Sequence, residues 1–109
     1  MDEVVDKFRS RGVVSGGALY LTVPDGYDFI AAVEKSAQVI LGVEAVRLES
    51  GQVRPLLGQI ADFSSLRAEE WSSRVMTSVR AAAGFLDQLP KQEEIRVTFT
   101  IATHAEDSR

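Results

Sequence analysis

The sequence predicts a small α+β domain. A four-stranded mixed sheet carries helices on one face in a ferredoxin-like, split β-α-β order, and a short N-terminal helix precedes it. Three observations predict this. Two stretches, residues 18–23 and 95–101, alternate apolar and polar side chains with the period of a half-buried strand. Two longer stretches repeat apolar residues at helical spacing. Between the helical stretches, residues 43–63 read as a β-hairpin around a Ser50-Gly51 turn. The 109 residues form one domain, 1–109, and 45% of them are apolar, enough for a real core.

The elements follow in order. Val4, Val5 and Phe8 make one short apolar stripe, a helix of two or three turns that Gly12 stops. Ser15-Gly16-Gly17 reads as a loop. It matches neither glycine-rich phosphate-loop pattern, which argues against a phosphate role. In the strand at 18–23, Leu19, Leu21 and Val23 share one face and Tyr20 and Thr22 the other. Pro24-Asp25-Gly26 breaks it, and Asp25 is the expected N-cap of a helix, with Asp28 favourable in its first turns. Phe29, Ile30, Val33, Ala37, Ile40 and Leu41 extend that helix to a left-handed stop at Gly42. After the hairpin, Ser64 and Ser65 offer caps, with Glu69 and Glu70 in the early turns. Trp71, Val75, Val79, Ala82, Leu86 and Leu89 form the longest helical stripe, and Pro90 ends it. Ile95, Val97, Phe99 and Ile101 alternate with Arg96, Thr98 and Thr100 in the last strand, and the tail after it is expected to fray. Each main helix joins strands by a crossover, so parallel neighbours with right-handed connections are expected around the antiparallel central pair.

Composition narrows the function classes. No cysteine is present, which removes disulfides, thiolate nucleophiles and Cys-based zinc sites. The lack of cysteine is compatible with the cytosol; the first residues are charged and lack the apolar core of a signal segment, and no run reaches transmembrane length, so no membrane contact is expected. A net charge of −4 argues mildly against nucleic acid as a partner and suits a basic one. His104 is the only histidine, and no second one joins it to hold a metal. The acidic pairs Glu69-Glu70 and Glu93-Glu94 read as a helix start and a connecting loop. Trp71, Phe29 and Phe99 read as core, and Arg74 and Arg80 as a solvated helix face. No catalytic residue, metal or cofactor is expected, and the chain is expected not to be an enzyme.

The hairpin carries the one unusual charge pattern. With a two-residue turn, Glu49 faces Gln52, Leu48 faces Val53 and Arg47 faces Arg54. Leu48 and Val53 are expected in the core with Val46, and the two arginines on the other face. Like charges placed opposite each other are destabilising, and Glu49 is placed to relieve them. The cluster reads either as a charged binding patch or as edge protection, in which arginines and Pro55 keep another strand from adding to the sheet.

The stretches ILGVEAVRLESGQVRPLLGQIADF, EEWSSRVMTSVRAAAGFLDQLP and IRVTFTIA together resemble a family of bacterial polymorphic-toxin immunity proteins, the one catalogued as immunity family forty. Gly42, Glu44, Gly51, Pro55, Trp71 and Pro90 carry the resemblance, which covers residues 19–101. After the proline such proteins carry a polar and aromatic cluster, where this chain has LLGQIADF. That departure implies a different cognate toxin or a divergent relative. The resemblance implies a cytoplasmic, non-enzymatic antidote, a monomer or weak dimer when free, that neutralises a co-expressed toxin domain in contact-dependent inhibition by occluding its active site. Glu44, Arg47, Glu49, Arg54, Gln59 and Asp62 are the expected partner contacts. The alternative is a small ferredoxin-like ligand-binding or regulatory module that uses the open sheet face of Tyr20, Thr22, Arg96 and Thr98.

Overall fold

The computed structural model describes residues 3–63, 70–92 and 94–104, with the backbone alone at Leu57 and Gly58. The expected caps Ser64 and Ser65, together with Glu69, Glu93 and residues 105–109, lie outside the described residues. The elements are α1 (Glu3–Phe8), a 3-10 turn (Arg9–Arg11), β1 (Val13–Ser15), β2 (Ala18–Thr22), α2 (Val23–Lys35), β3 (Val39–Glu49), β4 (Gln52–Asp62), α3 (Trp71–Asp87) and β5 (Ile95–Ala102).

The α+β class holds, but the sheet differs from the expected one. It has five strands in the order β1-β2-β5-β3-β4, and every neighbouring pair is antiparallel. The expected mixed sheet of four strands with parallel neighbours is thereby corrected. β5 inserts between β2 and β3, and β3 inserts between β4 and β5. Each helix therefore crosses over one intervening strand, and the strands it joins never touch. The extra strand arises where a loop was expected. Gly16 and Gly17 both take positive φ (59° and 80°), so they close a two-residue hairpin turn between β1 and β2.

Helix α2 begins and ends earlier than its apolar period suggests. Its N-cap is Thr22, whose Oγ1 accepts the Asp25 N–H at 3.3 Å, while Asp25 lies inside the first turn. The stop is Ala37, not Gly42. Ala37 takes a left-handed φ of 56°, its N–H donates to the Glu34 carbonyl, and the Gln38 N–H donates to the Val33 carbonyl. This is a Schellman closure built without glycine. Ile40 and Leu41 fit the helical period, but they lie in β3, in a run with Val39 and Val43 that favours a strand.

One core lies between the helices and the sheet. Phe29, Ile30 and Val33 of α2 and Val75, Val79, Ala82 and Leu86 of α3 pack on Leu21, Val43, Ala45, Ile95 and Val97, with Val4 and Phe8 of α1 closing one end. Burial of each such side chain contributes about 1.5–3 kcal/mol for the larger residues. Phe29 stacks on Phe99 (centroids 4.9 Å apart) and meets the edge of Phe8 (5.4 Å). Helix α2 can approach β5 because residue 26 is glycine; a Cβ there would lie 2.9 Å from Val97. Ser78, fully buried, ties α3 to the sheet: its Oγ accepts the Ile40 N–H at 3.1 Å and donates to the Val75 carbonyl.

Two expectations about α3 and its surroundings need correction or refinement. Arg74 is not on a solvated face. It is 3% exposed, and its guanidinium lies 5.2 Å from the Trp71 ring centroid. Trp71 is half-buried at the edge of the core, where it stacks on the exposed His104 at 4.7 Å and donates its indole N–H to the Ala37 carbonyl at 2.8 Å. That corner joins the end of α2, the start of α3 and the end of β5.

Candidate partner-binding site

The hairpin register is as read from the sequence. Glu49 pairs with Gln52, Leu48 with Val53 and Arg47 with Arg54. Ser50 and Gly51 both take positive φ (50° and 78°), the geometry of a tight hairpin turn. β4 is an edge strand, so Arg54 and Pro55 sit where edge protection would place them.

The faces are the reverse of expectation. Arg47 pairs with Ile95 on β5, and Ile95 belongs to the helix-side core, so Arg47 shares the helix side of the sheet beyond the end of the core. Val46, Leu48 and Val53 therefore occupy the opposite, helix-free side, where Val46 is nonetheless fully buried as expected. Leu48 and Val53 are half-buried and stand outside the core cluster. Strand alternation gives the parity of a face; only the tertiary pairing says which parity the helices cover.

At the hairpin end the charges form a connected set. Arg47 donates to the Glu94 carboxylate at 3.0 Å, and Glu49 approaches both Arg47 and Arg54 at 3.6 Å. The like-charge pair is thus neutralised by carboxylates from two strand ends. Arg54 is the most open member, at 62% side-chain exposure.

The other expected contacts lie elsewhere. Glu44 and Asp62 line a shallow groove of about 320 Å³ on the helix-free side, with Gly42, Ile60, Thr98 and Thr100. Glu44 pairs with Ile60 and with Thr98, and Gly42 pairs with Asp62 and with Thr100, so the six residues form a grid of two rows on three strands. Gly42 leaves the grid's missing side chain, and a Cβ there would stand 2.9 Å from the Ala61 carbonyl oxygen. Two irregularities bracket the groove. β3 bulges at Leu41, and β4 shifts register so that residues 56–59 lie opposite Ala45 alone. Gln59 is half-buried within that bulge. The six expected contacts thus fall into a charged tip (Arg47, Glu49, Arg54), a groove pair (Glu44, Asp62) and a bulge residue (Gln59). Arg47 and Glu44, three residues apart on one strand, face opposite sides.

The sequence reading missed Glu94 as the second counter-ion, because it lies 47 residues from Arg47. The groove is not legible in the sequence either, because Gly42 after an apolar run reads as a helix stop. Two further polar contacts join the outer elements. Arg11 bridges Asp25 and Asp28 (2.7 Å to the latter), and hydrogen bonds to these two carboxylates raise its pKa. The Tyr27 hydroxyl donates to the Asp87 carboxylate, and this bond, reinforced by desolvation, pushes the Tyr27 pKa up to about 12. Among the described residues no group of three or more His, Asp or Glu is placed to hold a metal ion, and no helix is long and apolar enough to cross a membrane.

Comparison with protein-family models, with curated proteins and with solved structures gives no match.

Proposed function

We propose that this chain is an immunity protein that binds a toxin domain made in the same bacterial cell and occludes its active site. One observation carries the proposal beyond the sequence pattern: Arg47, Glu49, Arg54 and Glu94 form a solvent-facing charged cluster whose members hold one another in place at the end of the edge hairpin. Side chains already fixed by their neighbours lose less conformational freedom on binding, and alternating charge of this kind sets partner choice more than raw affinity. The net charge of −4 favours encounter with a basic toxin.

The test is a tagged copy expressed in its producing cell, with recovery of a 1:1 complex with the product of an adjacent reading frame. Arg54→Glu is the cleanest interface variant, since Arg54 is open and among the described residues its ion pairing is the 3.6 Å approach to Glu49. Weaker recovery and loss of protection with an unchanged melting temperature are expected. Recovery of no toxin-like partner sinks the reading, and full protection by the variant leaves the cluster with edge protection alone.

The groove favours a second reading, a small ferredoxin-like ligand-binding module; of the open-face residues expected for it (Tyr20, Thr22, Arg96, Thr98) Thr98 alone lines the groove. Its volume is at the low end of the range of ligand pockets, about 300–1,000 Å³. Saturable thermal stabilisation by a small metabolite, without a protein partner, would select it.

A further inference from the structure

The groove over Gly42 calls for an occupant of definite chemistry. β3 is an inner strand, so a charge on it stands in the middle of the sheet surface and not at a frayed edge. Glu44 occupies that position, half-buried, and makes no ion pair among the described residues. Glu49 and Glu94, at strand ends, are matched by Arg47, and Asp25 and Asp28 of α2 by Arg11. Arg96, one step along β5 on the same face, donates to the Ile95 carbonyl, and a cation that arrives with a partner meets the Glu44 carboxylate in the groove.

The surroundings of Glu44 define the cation. Thr98 stands directly across on β5 and Ile60 directly across on β4, while Asp62 and Thr100 flank the bare Cα of Gly42 one step along. Side chains directly opposite lie about 4.5–5.5 Å apart and diagonal ones about 7–8 Å. The acceptors are therefore spread around a slot, not gathered at a point. A planar guanidinium with five donors in a fixed fork suits several separated acceptors better than a compact ammonium. Ile60 is 65% exposed and offers an apolar rail for the methylene stem. The Ala61 carbonyl against Gly42 keeps the floor of the slot free of a side chain.

We infer that the groove over Gly42 is an anchor pocket for one arginine side chain of a protein partner, with Glu44 as its counter-ion. The inference rests on the reading above in taking the partner to be a protein, and it gives that partner a second contact on the side of the sheet opposite the Arg47–Glu49 cluster.

The experiment titrates the isotope-labelled chain with the blocked tripeptide acetyl-Ala-Arg-Ala-amide and with its citrulline counterpart, and follows backbone amide signals. Saturable shifts centred on Gly42, Glu44, Thr98 and Thr100 are expected with arginine and not with citrulline. Glu44→Gln, which keeps the shape, is expected to weaken them by roughly tenfold or more. Thr100→Lys, at an exposed position beside Gly42, places the chain's own cation in the slot and is expected to do the same, so the test survives if either variant folds poorly. Shifts elsewhere, equal response to citrulline, or indifference to both variants overturn the inference. A toxin recovered equally well by both variants overturns the anchor and leaves the antidote. Arginine seated in the groove of a chain that recovers no toxin keeps the anchor and removes the antidote.

Discussion

Arg47 and Arg54 stand directly opposite each other across the β3–β4 hairpin, and Glu49 lies 3.6 Å from both. Two like charges in register would loosen the hairpin end; one carboxylate shared between them, with Glu94 beyond Arg47, closes it instead.

Replacing Glu49 by Gln should therefore cost about 0.5–1 kcal/mol, since exposed pairs are individually weak but here the arginines are left to repel. The loss should shrink at high salt, which screens that repulsion. Urea unfolding at low and at high ionic strength checks this. A loss that does not depend on salt would mean that Glu49 acts through packing.

Ala37→Gly should stabilise the domain. Left-handed backbone costs an ordinary residue about 1–2 kcal/mol, and glycine returns part of that gain through its looser unfolded chain, so a net gain of about 0.5–1 kcal/mol is expected. The backbone carbonyl that receives the Trp71 indole remains in the variant. A rise in the urea midpoint at constant slope is the expected readout; a fall would show that the alanine methyl contributes packing worth more than the strain.

Ser78→Ala should destabilise by about 1–3 kcal/mol, because it removes the acceptor for a buried Ile40 N–H. Hydrogen exchange at Ile40 should accelerate well beyond the global change. Protection at Ile40 that falls only in step with overall stability would argue against this role.

Tyr27 supplies a pH signature. Its folded pKa of about 12 lies above the ordinary value of 10.0, so the bond to Asp87 contributes its full stability below about pH 10. The contribution is lost as pH rises through the folded value. The stability difference between the native chain and Tyr27→Phe should be constant at neutral pH and vanish toward pH 12. Subtracting the variant removes the lysines that titrate in the same window.

Much of the local structure was legible in the chain. The hairpin register followed from a two-residue turn and strict alternation, the α3 stripe from its helical spacing, and β5 from its period of two. The candidate site was legible in its residues but not in its grouping. Glu44, Arg47, Glu49, Arg54 and Asp62 all reach the surface, yet they serve two sides of the sheet. Gly42 shows why. A glycine after an apolar run reads as a helix stop, and only the pairing of β3 with both β4 and β5 reveals it as the floor of a groove.

The α+β class, the Ser50-Gly51 turn and the side chains that alternate together are all readable along the chain, because these depend on backbone periods and on residues a few positions apart. The tertiary structure alone decided which alternating face the helices cover, that β5 inserts between β2 and β3, and that Glu94 reaches Arg47 across 47 residues. Those outcomes depend on contacts between distant segments, and local propensity carries no information about them. At residues 43–63 the chain fixed the opposition of Arg47 and Arg54, and the fold assigned them to the helix side and Glu44 to the open groove.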